Sequence, residues 1–197
     1  VAEGWSTKKL IRYIVLSRTY QLSSAHDEKS LEVDPDNRLY WRHSVRRLDA
    51  ESLRDAILAT SGQLDRSPAS RSPVADESNP GGKNGGERKF ASFEFAHRSV
   101  YLPMVRNAEP EMLVTFDLPD TELVVGDRSV TTVPAQSLFL LNSRWIGEQS
   151  AAFAARVLAA QDLDTSSRLQ LVYRLALARP GTPAEIKQLA DYLAASG

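Results

Sequence analysis

The sequence predicts a mainly α-helical protein, a helical bundle with a small β ribbon. Several segments repeat apolar residues at spacings of three and four between capping residues, the pattern of amphipathic helices. Only one short region alternates apolar and polar residues as strands do. The 197 residues are 42% hydrophobic and 25% charged, ordinary for a chain that buries a core. We expect a single domain over residues 1–197, cut from a longer protein.

The first predicted helix lies in GWSTKKLIRYIVLSRTYQLSS. Ser6 can cap its first turn, and Trp5 with Leu10 can form a hydrophobic staple. Its apolar residues cover more than one face, so we expect this helix to lie buried between others.

A polar loop, SSAHDEKSLEVDPDNR, is predicted next. Its DPDN begins like a calcium loop, but Leu39 and Val45 stand where such a loop needs glycine and glutamate, which favours a turn. A second helix is then predicted in LDAESLRDAILATSG, where Asp49 can cap the start and Gly62 can supply the left-handed stop.

Residues 65–89 hold three prolines, four glycines and almost no large apolar residue, which predicts a flexible insertion. The alternation in FASFEFAHRSVYLPMV that follows predicts the β ribbon, with Val100, Leu102 and Met104 on one side. Pro103 confines that strand to an edge.

Four helical segments complete the predicted bundle. In RSVTTVPAQSLFLLNS we expect Thr131 or Thr132 to cap a buried helix, Gln136 and Asn142 to hold nearby backbone, and Leu138 and Leu141 to enter the core. Apolar periodicity predicts helices over 144–160, 166–178 and 183–195. The last has Thr182 as its cap, Pro183 in its first position and Glu185 to complete a capping box.

Composition excludes several classes of site and partner. The chain has no cysteine, which rules out disulfides, thiolate zinc sites and covalently attached haem in this segment. The three histidines show no metal-ligand spacing, so we expect neither metal nor cofactor. Residues 1–106 carry a net charge of +3 and residues 107–197 a net charge of −4, which argues against nucleic acid as a partner. No apolar run is long enough for a membrane span.

Most candidate functional residues lie around or after the predicted ribbon, and Arg46 and Arg47 lie beside the start of the second predicted helix. His97, Asp117 and Asp120 are the catalytic candidates, because carboxylates beside a histidine can perform general acid–base catalysis. An acidic ligand would be held by cationic and amide side chains, for which the candidates are Arg46, Arg47, Arg98, Arg106, Asn107 and Arg128. The competing interpretation is that these groups form structural salt bridges and caps. It is favoured because such pairs are common on protein surfaces.

Several long, irregular phrases carry a family resemblance. GWSTKKLIR, RRLDAESLRDAIL, RSVYLPMVRN, RSVTTVPAQSLFLLNS and LALARPGTPAEI occur in this order along nearly the whole chain. The chain thereby resembles the planctomycete family known as domain of unknown function 1553. The resemblance implies the C-terminal portion of a large secreted, periplasmic or cell-surface protein, with a haem-bearing cytochrome-c-like domain upstream. It assigns no role to any residue.

Two functions stay open at this point. The first is a structural or interaction module that supports the upstream domains of the same polypeptide. The alternative is an enzyme that acts on extracellular carbohydrate through an Arg/Asp/His pocket. Their difference is spatial, because the enzyme needs these side chains in one concavity and the module needs them in separate structural contacts.

Overall fold

A computed structural model describes residues 4–69, 95–102, 104, 109–121 and 123–196, and this part of the chain is mainly helical. The helices are α1 (Thr7–Val15), α2 (Glu28–Val33), α3 (Ala50–Ser61), the 3-10 helix η1 (Ser99–Tyr101), α4 (Glu111–Thr115), α5 (Pro134–Asn142), α6 (Arg144–Leu158), α7 (Thr165–Leu177) and α8 (Pro183–Ser196). The predicted helical class is therefore confirmed. No helix in these ranges is long and apolar enough to cross a bilayer.

The chain divides into two compact units, an N-terminal unit of Val1–Arg47 and a C-terminal unit of Leu48–Gly197. The predicted insertion at 65–89 lies largely outside the described residues, which resume at residue 95.

The predicted β ribbon is wrong for the part of the chain that the structure describes. No strand appears there, and η1 occupies the place of the expected strand. One isolated bridge joins Asp65 to His97. The physical reason lies in the backbone pairing, because the carbonyls of Phe95 and His97 accept hydrogen bonds from a side chain of α3 rather than from a second strand.

The first helix has the predicted cap but not the predicted burial. Ser6 accepts a hydrogen bond from the Lys9 amide at 3.4 Å, which confirms the cap. No residue of α1 is buried, and Leu10 and Ile14 are 60% and 50% exposed. Between residues 4 and 47 the one buried residue is Asp34, so the N-terminal unit offers this helix no apolar core.

The predicted polar loop contains a short helix and a turn. The helix α2 begins where the Asp27 carboxylate accepts from the Ser30 amide at 2.9 Å. The turn at DPDN is confirmed, since the buried Asp34 carboxylate accepts from the amides of Arg38 at 2.9 Å and Leu39 at 2.7 Å. These bonds satisfy backbone groups that the turn leaves without helical partners.

The core of the C-terminal unit forms around α3, which packs against η1, α4 and α6. Met112 and Leu113 of the short helix α4 are fully buried. The remaining buried apolar residues of this cluster are Ala50, Leu58, Leu102, Phe116 and Trp145. α3 is thus the element that positions its neighbours.

The C-terminal end of α3 is held by its own stop and by α6. Gly62 adopts a left-handed conformation at φ +83°, as predicted. Arg156 of α6 donates to the carbonyls of Ala59 at 2.8 Å and Thr60 at 2.7 Å. Because the last carbonyls of a helix lack intrahelical partners, this arginine completes the end of α3 and joins it to α6.

The connection between α7 and α8 closes on Gly181. The Gln170 side-chain amide donates to the Gly181 carbonyl and accepts from the Gly181 amide, both at 3.0 Å. The predicted capping box is confirmed, since Glu185 accepts from the Thr182 amide at 2.8 Å and Thr182 Oγ1 accepts from the Glu185 amide at 3.3 Å. Hydrogen bonds from Arg179 and Thr182 lower the pKa of Glu185 to about 2.

Replacing Gly181 with alanine should destabilise this hairpin. A Cβ atom at Gly181 would lie 2.7 Å from Ile186 Cδ1 and 2.8 Å from Tyr173 Cδ2. We expect the overpacking to lower the free energy of unfolding by about 1–3 kcal/mol in urea titrations. Gly147→Ala is the matched control, because a Cβ there meets nothing within 4 Å and alanine suits the interior of α6. Equal unfolding free energies of G181A and wild type would contradict the packing at this turn.

Candidate functional site

Three charged side chains share one face of α3 in the C-terminal unit. Glu51, Arg54 and Asp55 stand three and four positions apart, a spacing that aligns side chains on a helix. Each contacts a segment far away in the chain. We call this set the α3 charged face.

Arg54 is the buried member of the α3 charged face, at 1% exposure. Its guanidinium donates to the carbonyls of Phe95 and of His97, the latter at 3.1 Å, and to Ser99 Oγ at 3.2 Å. Burial lowers the pKa of Arg54, and the nearby Asp55 carboxylate, 3.7 Å from Nη1, partly offsets that effect. The rigid fork of a guanidinium is suited to satisfy several acceptors at once.

Asp55 fixes the start of η1. Its Oδ1 accepts from the Ser99 amide at 2.8 Å and from Ser99 Oγ at 2.7 Å. Ser99 is itself buried, so its hydroxyl contacts both charged partners from α3 in the interior. Arg54 and Asp55 together fasten residues 95–99 to α3.

Glu51 engages Arg128, one of the predicted ligand-binding residues. The two form a bidentate pair with N–O distances of 2.7 and 3.0 Å. The hydrogen bond from Arg128 lowers the pKa of Glu51, and the same bond raises the pKa of Arg128. The pair is partly exposed, and it attaches the loop before α5 to the start of α3.

Asp117, a predicted catalytic residue, holds the phrase that leads into α5. Its carboxylate accepts from the Thr131 amide at 2.8 Å and from Thr131 Oγ1 at 2.7 Å. Asp117 adopts a left-handed backbone conformation, φ +66°, just after α4 ends. Its carboxylate therefore joins the end of α4 to the approach to α5.

Gln136 connects the same two elements from the α5 side. It is 3% exposed, and its Nε2 donates to the carbonyls of Thr115 at 3.1 Å and Thr131 at 3.3 Å. Its Oε1 accepts from the amide of Val133 at 3.4 Å. The predicted role of Gln136 in holding nearby backbone is confirmed.

Two other expectations for this phrase are wrong. Val133, not a threonine, is the N-cap of α5, because Thr131 is bound to Asp117 and Pro134 sets the first helical residue. Leu138 and Leu141 do not enter the core, since they are 58% and 81% exposed. The helix turns Gln136 and Phe139 towards its neighbours instead.

Of the remaining candidates, the structure describes His97, Asp120, Arg46, Arg47 and Arg98. His97 Nδ1 lies 3.4 Å from Asp65 Oδ2, outside hydrogen-bond geometry, and its ring packs on Phe95. Arg46 and Arg47 are exposed in the N-terminal unit. Arg98 and Asp120 are exposed in the C-terminal unit. Arg106 and Asn107 lie outside the described residues. Within the described ranges, no group of three or more metal-ligating side chains could hold an ion.

The buried contacts of Arg54 and Ser99 were not anticipated from the sequence. The only local signal was the dense charge at helical spacing in RRLDAESLRDA, which is also typical of a solvated helix face. The acceptors lie 41–45 residues away, so no local pattern could identify them.

Comparison with known proteins decides the family. The family model described as Protein of unknown function (DUF1553) matches residues 1–193. The chain belongs to the DUF1553 family. No curated protein and no solved structure matches it. In this DUF1553 domain, four of the five phrases that suggested the family coincide with α3, η1, α5 and the α7–α8 turn, where side chains join different elements. The fifth, GWSTKKLIR, covers the start of α1.

Gln136→Ala should destabilise the domain, because it removes the hydrogen bonds of a buried side chain to Thr115, Thr131 and Val133. We expect a loss of about 1–2 kcal/mol in the free energy of unfolding. Asn142→Ala is the matched control on the same helix, since the exposed Asn142 amide donates to the Leu138 carbonyl one turn earlier. If urea melts give both variants the stability of the wild type, Gln136 does not brace α5.

Proposed function

We propose that this DUF1553 domain is a structural and interaction module of a secreted multidomain protein, and that it supports a cytochrome-c-like domain of the same polypeptide. The observation that carries the proposal is the use of its reactive side chains. Backbone and hydroxyl groups far away in the same chain form hydrogen bonds with the side chains of Arg54, Asp55 and Asp117.

A catalytic side chain must contact its substrate, but the side chains of the α3 charged face already form hydrogen bonds within the protein. Arg54 is buried against three protein acceptors, and Asp55 holds both polar groups of Ser99. Removing either partner would leave buried polar groups unsatisfied, which makes these contacts costly to open during a reaction. The arrangement favours the module over the carbohydrate-active enzyme.

The outer face of α5 offers the surface for a neighbouring domain. Pro134, Leu138 and Leu141 recur at the spacing of one helix face, and the two leucines are 58% and 81% exposed. The opposite side is anchored through Gln136, so this face is presented from a fixed helix. Apolar side chains at such spacing are a common docking pattern between helical elements.

Paired substitutions test this function. The binding partner is the cytochrome-c-like domain encoded with this chain, and affinity is measured by titration calorimetry. We expect the double change Leu138→Gln and Leu141→Gln to weaken binding about tenfold or more, because two leucines lose their burial at the contact. The unfolding midpoint of the isolated chain should stay unchanged.

Leu177→Gln is the matched control, a leucine 55% exposed on α7. It should leave the affinity unchanged. The proposal fails if the wild-type chain does not bind the domain. It also fails if the chain cleaves a polysaccharide and Asp117→Asn abolishes that cleavage without unfolding the protein.

A further inference from the structure

Helix α1 is sharply two-sided. At 100° per residue, Lys8, Lys9 and Arg12 fall on one side of the helix, opposite Leu10, Ile11 and Ile14. All six are exposed. An apolar face of this kind is ordinarily covered in the functional state, since large exposed apolar patches mark interaction sites.

The charged residues of α1 and of the segment that follows it are all cationic. From residue 4 to residue 25 the chain carries Lys8, Lys9, Arg12 and Arg18 and no acidic residue. Trp5 stands just before the cap and is 83% exposed. A partner that binds this surface must contact apolar side chains, the Trp5 indole and several cations at the same time.

We propose that α1 is an interfacial helix that docks the N-terminal unit onto an anionic phospholipid surface. The apolar face lies at the boundary between headgroups and acyl chains, where amphipathic helices with a basic face insert. Lys8 and Arg12 extend to the lipid phosphates, and Trp5 lies at headgroup level. This inference is independent of the proposed function, which rests on α5 and the C-terminal unit.

Dimensions and charge favour this occupant over others. Nine helical residues span about 14 Å, so the helix can lie along a bilayer but cannot cross a core of about 30 Å. A second copy of α1 could cover the apolar face but would supply no anionic partner to Lys8 and Arg12. A lipid surface supplies an apolar layer and an anionic layer in one plane.

Vesicle sedimentation of the whole chain tests the proposal. The probes are vesicles of phosphatidylcholine alone and of equal parts phosphatidylcholine and phosphatidylglycerol. We expect binding to the anionic vesicles only, weakened by added salt. Lys8→Glu with Arg12→Glu should reduce the binding constant about 30-fold or more, given the usual contribution of each cation near a charged membrane. Leu10→Ser with Ile14→Ser should reduce it about tenfold or more.

Matched controls come from α2, where Lys29 and Val33 are also exposed. Lys29→Glu and Val33→Ser should leave binding close to that of the wild type. Hydrogen exchange should show vesicle-induced protection at residues 7–15. The proposal is overturned if the wild type does not bind anionic vesicles, or if the α2 variants lose as much binding as the α1 variants. It is equally overturned if Leu10→Ser with Ile14→Ser binds normally, because that result indicates electrostatic adsorption alone. Protection of residues 7–15 from hydrogen exchange by a soluble protein but not by vesicles would also overturn it.

Discussion

The buried guanidinium of Arg54 is the interaction on which the C-terminal unit depends. It projects from α3, the helix that contacts η1, α4 and α6, and it satisfies acceptors in residues 95–99. A charge in the interior is costly unless its hydrogen bonds are complete. The position of the whole segment is therefore specified, because Phe95, His97 and Ser99 must present their acceptors to one planar group.

The other polar contacts extend the same principle around α3. Asp55 holds the start of η1, Glu51 holds Arg128, and Arg156 of α6 completes the last turn of α3. Asp117 and Gln136 then connect α4 with α5. Short helices such as α4 have little stability of their own, so tertiary contacts of this kind decide where they form. The apolar cluster supplies burial, and the polar side chains select one arrangement of the helices.

Local sequence signals predicted much of the helical framework. Ser6, Gly62 and the Thr182–Glu185 box act within one turn of their own helices, and each was found where the sequence placed it. Such features are readable because the donor and the acceptor lie a few residues apart. The helices α2 and α4 were missed, since six and five residues give too little periodicity to recognise.

Long-range features were not readable in the same way. The alternation around Val100 resembled a strand, but Arg54 and Asp55 captured the backbone groups that a strand would pair. Periodicity in α1 and α5 revealed apolar faces without revealing what covers them, so the predicted burial of Leu141 was wrong. The sequence proposed Asp117 as a catalytic residue and Arg128 as a ligand-binding residue, and both roles stay predictions. Their contacts with Thr131 and Glu51 emerged only from the fold.

The most direct measurement is the free energy of unfolding of Arg54→Met in urea. Methionine keeps much of the apolar stem but removes every donor to Phe95, His97 and Ser99. Hydrogen bonds to a charged group predict a loss of about 3 kcal/mol. Arg144→Met, whose parent side chain is 93% exposed and pairs with Glu148 four residues on, should cost less than about 0.5 kcal/mol. Equal stabilities of R54M and R144M would contradict the dependence of this unit on Arg54.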